Sequence, residues 1–405
     1  MTTIVTSVLG FAFWSLAAHR LPAAQVGDAS AVVSLMQLLA MICVLGLNTL
    51  IISEVSAHPQ QSSTLVATAG LTAFLSGAVG ALVTALVLRA TSAVYMAIFA
   101  TIWALPVFIV GVAATAVTLV VDDACVAVRR PSMQVARNTV FAGLKLALIP
   151  VGALVLAGTN GLQLLAPWVF ATLISFWFVR RLVRRPGGGV KVDLSLIRSH
   201  GQLALRHHWL NVSVQAPRYA VVAVAAIVIG ARLTAAFYAA LLMIGFITII
   251  PVLLGTVLFS ITAGDQIALR AQVRFTLTVS ALLAIAAAPG VYFLSGFALS
   301  LFSPADLTAR TAMWILGLMI GPFAIKSHYV VVARVKGQMS RAARLTTACA
   351  ALEVAAATVG GWLGGITGMT LGWLFAVCVE AALFGPTVYR AATLPLQPAT
   401  ATSNP

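Results

Sequence analysis

The chain has 405 residues, 61% of them hydrophobic and only 8% charged, with a mean hydropathy of +1.05 and a formal net charge of +15. A water-soluble domain covers its surface with more polar groups than this, so the composition implies an all-α polytopic membrane protein and leaves no segment large enough for a separate soluble catalytic domain. The charge is no nucleic-acid footprint either, since such binding needs a folded basic face outside the membrane.

Apolar runs separated by short polar breaks predict about twelve transmembrane helices. The first, 2–19, has no Lys or Arg before it and Arg20 after it, the reverse of a secretory signal, so it reads as a retained span. Runs at 28–48, 63–88 and 96–121 follow. Asp122 and Asp123 close the fourth run. A solvated helix end explains them better than the metal-binding acidic pair of a membrane glycosyltransferase, because no large external loop is available to hold a sugar donor. The fifth run, 134–157, carries Lys145 near its middle, and 162–179 completes a six-helix half over residues 1–180.

A basic cytoplasmic linker, 181–207, comes next, with Pro186 and Gly187–Gly189 inside an Arg-rich stretch. Anionic headgroups attract such a segment by about 1 kcal/mol per basic residue near the surface. The second six-helix half, 208–390, has runs at 208–230, 235–260, 274–300, 311–333, 342–361 and 366–388. Lys326 lies in the fourth of these, Glu353 in the fifth and Glu380 in the sixth. Residues 391–405, rich in Pro, Thr and Ala, read as a disordered tail. Cys43, Cys125, Cys349 and Cys378 form no short ligand pair and fill apolar positions, so no metal or cofactor is implied.

Basic residues separate by side. Arg129, Arg130, Arg180, Arg181, Lys191, Arg270, Arg334, Lys336, Arg390 and their neighbours, Arg137 among them, fall on one side, and only Arg20, Arg89, Arg232 and Arg310 on the other. The positive-inside rule makes the first side cytoplasmic and places both termini there. The halves also resemble each other: Arg20-Leu-Pro-Ala-Ala recurs as Arg232-Leu-Thr-Ala-Ala, and in a second register Ala136-Arg137, Gly158 and Gly161 match Ala343-Arg344, Gly365 and Gly368. Even numbers of spans in each half make these parallel repeats, between which transporters commonly place a substrate.

In the seventh run His208, Asn211, Gln215 and Arg218 recur at helical spacing and share one face. At 1.5 Å per residue Arg218 falls near the midplane, where an arginine facing lipid costs about 2.5–3.5 kcal/mol, so this face should meet a cavity or a partner. Two roles fit Arg218: a planar fork of donors for phosphate, with Gln215 and Asn211 binding sugar hydroxyls, or the balance of a neighbouring carboxylate such as Glu353. Pro217 removes one backbone donor beside it and predicts a kink. Lys145 fits a cavity cation or an ion-pair partner, and Lys326, able to snorkel, a structural role. Glu353 fits either a charge pair or a proton or cation coupling site. Arg20 and Arg232 occupy equivalent sites at the outer end of each half, suited to headgroups or to a diphosphate.

The opening Gly10-Phe-Ala-Phe-Trp-Ser-Leu-Ala-Ala-His-Arg-Leu-Pro22, then Val26-Gly27 and Gly46-Leu-Asn48, resembles the N-terminus of bacterial polysaccharide and O-antigen flippases of the multidrug/oligosaccharidyl-lipid/polysaccharide (MOP) exporter superfamily. Ala216-Pro-Arg-Tyr219, Thr234-Ala-Ala-Phe-Tyr-Ala-Ala-Leu241, Pro251 and Gly364-Gly-Ile-Thr-Gly-Met-Thr-Leu-Gly-Trp373 are similar to the middle and end of that family. The resemblance implies a MATE-like 6+6 bundle with a central cavity and no enzymatic activity. It implies export of a polyprenyl-diphosphate-linked glycan across the bacterial cytoplasmic (inner) membrane for the cell envelope, with membrane lipids and glycan-assembly enzymes as partners. Arg218, Gln215, Asn211, Lys145 and Arg20 are then the substrate-binding candidates. The rival reading is a proton- or sodium-coupled multidrug or small-solute antiporter using Glu353.

Overall fold

In the computed structural model the described residues, 2–182, 191–262 and 266–393, are helices joined by short turns, with no strand among them. Part of the basic linker (183–190) and most of the C-terminal tail (394–405) lie outside the described residues. The N-terminal half runs α1 (Thr2–Arg20), α2 (Ala23–Cys43), α3 (Leu47–Ala57), α4 (Ser62–Thr91), α5 (Ala93–Ile98), α6 (Ala104–Ala127), α7 (Pro131–Ala147), α8 (Ile149–Val155) and α9 (Leu162–Ser175). The C-terminal half runs α10 (Ser195–Val228), α11 (Ala231–Thr262), α12 (Gln266–Ser300), α13 (Arg310–Leu318), α14 (Ile320–Val335) and α15 (Met339–Thr393). Helix α10 begins at Ser195, well before its apolar part at 208.

Among the described residues eight helices are long and apolar enough to cross a membrane, and ten if each of two bent pairs is one span. Both bends have a local cause. Helices α7 and α8 meet at 42° next to Pro150, and α13 and α14 at 41° next to Pro322. A proline has no N–H to give the preceding turn and its ring crowds the carbonyl four residues back, so the helix axis breaks there. Pro217 behaves otherwise, for α10 runs through it as one helix while the Ser213 carbonyl loses its donor.

Helix α15 is two arms rather than one rod. Gly364 and Gly365 leave helical geometry, and Gly365 takes φ +59°, open to glycine because it has no Cβ. The arms fold back in backbone contact: a Cβ on Gly368 would stand 2.1 Å from the Gly360 oxygen, and one on Gly372 2.1 Å from the Ala356 oxygen. The runs at 342–361 and 366–388 are therefore the two sides of a hairpin. Gly158, aligned with Gly365 by the sequence repeat, also holds a positive φ, +79°.

Broad faces of α4 and α12 leave Leu75, Val79, Val83, Leu282, Ile285 and Phe293 exposed, as lipid-facing helices do. A large apolar core joins the N-terminal half to α10, α11 and α13, and a second, around Leu210, Val273, Val332, Cys349, Phe384 and Val388, belongs to the C-terminal half. Several contacts between the halves lie at the end that carries Arg20 and Arg232. There the Tyr95 hydroxyl donates to the Ala223 carbonyl (2.9 Å), Ser15 Oγ donates to the Leu301 carbonyl (2.6 Å), and Phe11 meets Phe302 edge-on at 4.9 Å. Gly27 lies so close to α11 that a Cβ would stand 1.7 Å from the Ala231 oxygen.

Candidate functional site

The four polar residues of α10 do not all meet the same surroundings. His208 is buried against α2, its Nε2 3.4 Å from the Ile42 carbonyl, and Asn211 is half-buried and accepts a hydrogen bond from Arg334 of α14. Further along the same face Gln215 and Arg218 are exposed. The Arg218 guanidinium lies 5.2 Å from the centre of the Tyr219 ring and close enough to Tyr238 of α11 to interact with it electrostatically. No carboxylate lies within ion-pair distance of Arg218 among the described residues.

Lys145 has the reverse exposure and likewise no ion-pair partner among the described residues. It is 3% exposed, and its ammonium sits 3.8 Å from the centre of the Trp168 ring, 4.8 Å from Phe141 and 4.9 Å from Phe13. The negative faces of aromatic rings attract a cation, by up to about 2 kcal/mol each when water is excluded, but they give no hydrogen bonds in place of lost hydration. A row of rings leads from this cage across the seam between the halves. Trp168 faces Trp14 at 6.3 Å, and Trp14 meets Tyr238 edge-on at 4.8 Å. Lys145 and Arg218 thus stand at opposite ends of one aromatic row, one in each half.

Glu353 contacts neither of them. It is 4% exposed and forms an ion pair with Lys326 of α14, while the Trp373 indole N–H donates to its second oxygen at 2.6 Å. Lys326 Nζ also lies 3.0 Å from Glu380 Oε2. Lys326 is 1% exposed, so it does not snorkel, and Glu380 is fully buried. Arg20 is exposed at the end of α1, and Arg232 is exposed at the start of α11.

Two arginines have roles the sequence reading missed. Arg137, counted there among the charges of the basic side, is 1% exposed and holds Asp122 through Nε (3.1 Å) and Nη2 (2.9 Å to each carboxylate oxygen). This bidentate pair, with Ser175 3.3 Å from Nη1, ties α6, α7 and α9 together. Asp122 is therefore an ion-pair partner rather than a merely solvated helix end. Arg334 joins the Asn211 face from across the C-terminal half; its place in the last turn of α14 is a signal that favours headgroups as readily as a cavity.

No protein-family model matches the chain, and no curated protein sequence does. In fold the chain is similar to a multidrug resistance MATE family transporter of the MOP superfamily in an inward-facing conformation, at 13% identity, over 98% of this chain and 96% of that one, with a TM-score of 0.68. It is also similar to the lipid II flippase MurJ in an inward closed conformation, at 11% identity over 96% of this chain and 86% of that one (TM-score 0.70). A MOP superfamily transporter from Pyrococcus furiosus, described as having a binding pocket of reverse polarity, gives 14% identity over 96% and 93% (TM-score 0.61). The fold is that of MOP transporters, and the protein is a multi-pass membrane protein.

Proposed function

We propose that the protein moves a lipid-linked, diphosphate-bearing glycan precursor across the bacterial cytoplasmic membrane by alternating access, with both termini on the basic, cytoplasmic side. One observation carries this reading: Lys145 and Arg218 flank an aromatic row between the halves, and no carboxylate among the described residues pairs with either. Cations kept without counter-charge in a low-dielectric site are costly unless an anion arrives to pair with them. A diphosphate supplies that anion, and the guanidinium of Arg218 suits its oxygens. The exposed amide of Gln215 suits sugar hydroxyls. Asn211, engaged by Arg334, positions that arginine near the same face, and Arg20 receives the headgroup at the outer end. The lipid tail stays in the bilayer.

Similarity of fold to a lipid II flippase agrees with this reading, and similarity to multidrug transporters keeps antiport of small solutes as the second reading. The buried carboxylates Glu353 and Glu380 favour the latter, since cation-coupled efflux needs an ionisable group within the membrane. Reconstitution separates the two. Liposomes holding the purified protein are given a labelled polyprenyl-diphosphate saccharide, and its transfer between leaflets is followed. Transfer in wild type that is lost in Arg218→Ala is expected. No transfer of any diphosphate carrier, together with ion-driven efflux of cationic dyes lost in Glu353→Gln, would overturn the proposal in favour of antiport.

A further inference from the structure

The hairpin of α15 and the helix α14 enclose three ionisable side chains. Lys326, Glu353 and Glu380 are 1%, 4% and 0% exposed, and with all three ionised the cluster carries one uncompensated negative charge. Its two carboxylates are not equivalent. Both oxygens of Glu353 are used, one by Lys326 and the other by the Trp373 N–H. Glu380 is fully buried with Oε2 3.0 Å from Lys326 Nζ, and it shares that single lysine with Glu353. An odd carboxylate in a dry site must take up a cation.

The surroundings narrow which cation. The charges acting on Glu380 are Lys326 and Glu353, and the Cys349 thiol is the other titratable group that interacts with the cluster. Tyr329 of α14 stacks on Phe384, one turn beyond Glu380, at 4.1 Å. Several ionisable groups of the neighbouring helices are engaged elsewhere. On α10 Arg218 lies over Tyr219; on α11 Tyr238 packs on Trp14; Arg270 of α12 donates to the Ala392 carbonyl; Arg310 of α13 donates to Ser295; and His328 of α14 bonds Thr276 of α12. A hard metal cation needs a shell of several oxygens. Here the ammonium of Lys326 already stands between the only two carboxylates, and no group of three or more His, Cys, Asp or Glu side chains suited to a metal occurs among the described residues.

We infer that the α14–α15 cluster is a proton-binding site of the C-terminal half, with Glu380 as the proton carrier and Lys326 as a tethered cation that clamps Glu353 and excludes sodium. The bend between α13 and α14 gives the site a means of release. Lys326 rides on α14, so a change in the 41° bend draws its ammonium away from the hairpin and admits water to Glu380. The proton site stands on the geometry alone, whereas its role in driving transport rests on the alternating-access reading above.

Infrared spectroscopy of the full-length protein in lipid nanodiscs tests the site without a substrate. At neutral pH a protonated-carboxyl C=O band that shifts in D2O is expected, equal in sodium chloride and choline chloride. Glu380→Gln should remove that component, and Glu380→Asp, which keeps the carboxyl group if the glutamine variant fails to fold, should shift it. Lys326→Gln should make the band sensitive to sodium and leave it intact in choline. A wild-type band that sodium abolishes, a band unchanged in both Glu380 variants, or no such band would overturn the inference. A Lys326→Gln band indifferent to sodium would overturn the role given to Lys326. If the band behaves as expected while no labelled diphosphate saccharide crosses the bilayer, the substrate assignment fails and the proton site stands.

Discussion

A close backbone approach between the halves, Gly27 against Ala231, gives a direct test of alternating access. In Gly27→Ala the new Cβ would stand 1.7 Å from the Ala231 oxygen, about 1.5–2 Å nearer than van der Waals contact allows. The obstacle is backbone on both sides, so no rotamer change relieves it, and α2 must part from α11 at the end bearing Arg20 and Arg232. Overpacking of this kind costs about 1–3 kcal/mol. That cost falls only on the state in which the outer ends touch. If a second state with these ends apart exists, its population relative to the closed one rises by roughly 5- to 150-fold, since 1.4 kcal/mol is a factor of ten. Spin labels at residues 20 and 232, both exposed, report the separation by pulsed electron resonance in a background lacking the four native cysteines. A second, longer distance should appear or grow in Gly27→Ala. An unchanged distance distribution in a folded variant would refute both the claim that this seam is a gate and the penalty worked from its geometry.

Arg218→Ala should abolish leaflet transfer of the diphosphate saccharide at normal protein levels, and Arg218→Lys, which keeps the charge but not the planar fork, should restore only part of it; full transfer in the alanine variant would remove Arg218 from the site. Lys145→Met should raise the melting temperature in detergent, because a flexible apolar chain replaces a buried ammonium that has no ion-pair partner among the described residues. The same variant should lose transfer, and a fall in melting temperature would show that the lysine has a partner. Arg137→Ala should destabilise by about 3–5 kcal/mol through the stranded Asp122, with Asp122→Ala/Arg137→Ala recovering part of the loss; additive effects in this thermal-melt cycle would contradict the pairing.

The helical architecture was legible because a membrane span writes itself into a continuous apolar run, and each predicted run contains a helix. Periodicity also placed Gln215 and Arg218 on one face, where both are exposed. What it could not supply was partners. Arg137 and Asp122 are fifteen residues apart on different helices, and Lys326 and Glu353 twenty-seven apart, so only the packing of α6 on α7, or of α14 on α15, brings them together. Lys326 keeps a structural role, but its expected reach to the headgroups fails for a related reason. A lysine near a span's end can reach the headgroups only if its helix is straight and its side faces lipid, but α14 starts afresh after the bend and turns this residue toward the hairpin.

The repeat in the sequence gains a physical meaning from these placements. Register between Ala136-Arg137 and Ala343-Arg344 sets Lys145 beside the position equivalent to Glu353, so corresponding helices of the two halves carry an inward ionisable residue at nearly the same depth. Duplication alone would give both halves the same chemistry. Instead the N-terminal residue is a cation boxed by Trp168, Phe141 and Phe13, and the C-terminal one is a carboxylate held by Lys326 and Trp373. A cation with no ion-pair partner among the described residues suits an anionic ligand, whereas a carboxylate pair with one lysine suits a cation, so on the proposed reading the diphosphate is held across the seam by Lys145 and Arg218, while coupling belongs to the C-terminal half. Lys145 and Glu380, which lie in different halves, then communicate through motion of one half against the other. Variants of Lys145 and Glu380 should then have independent effects on folding stability, and their effects on transport should be non-additive.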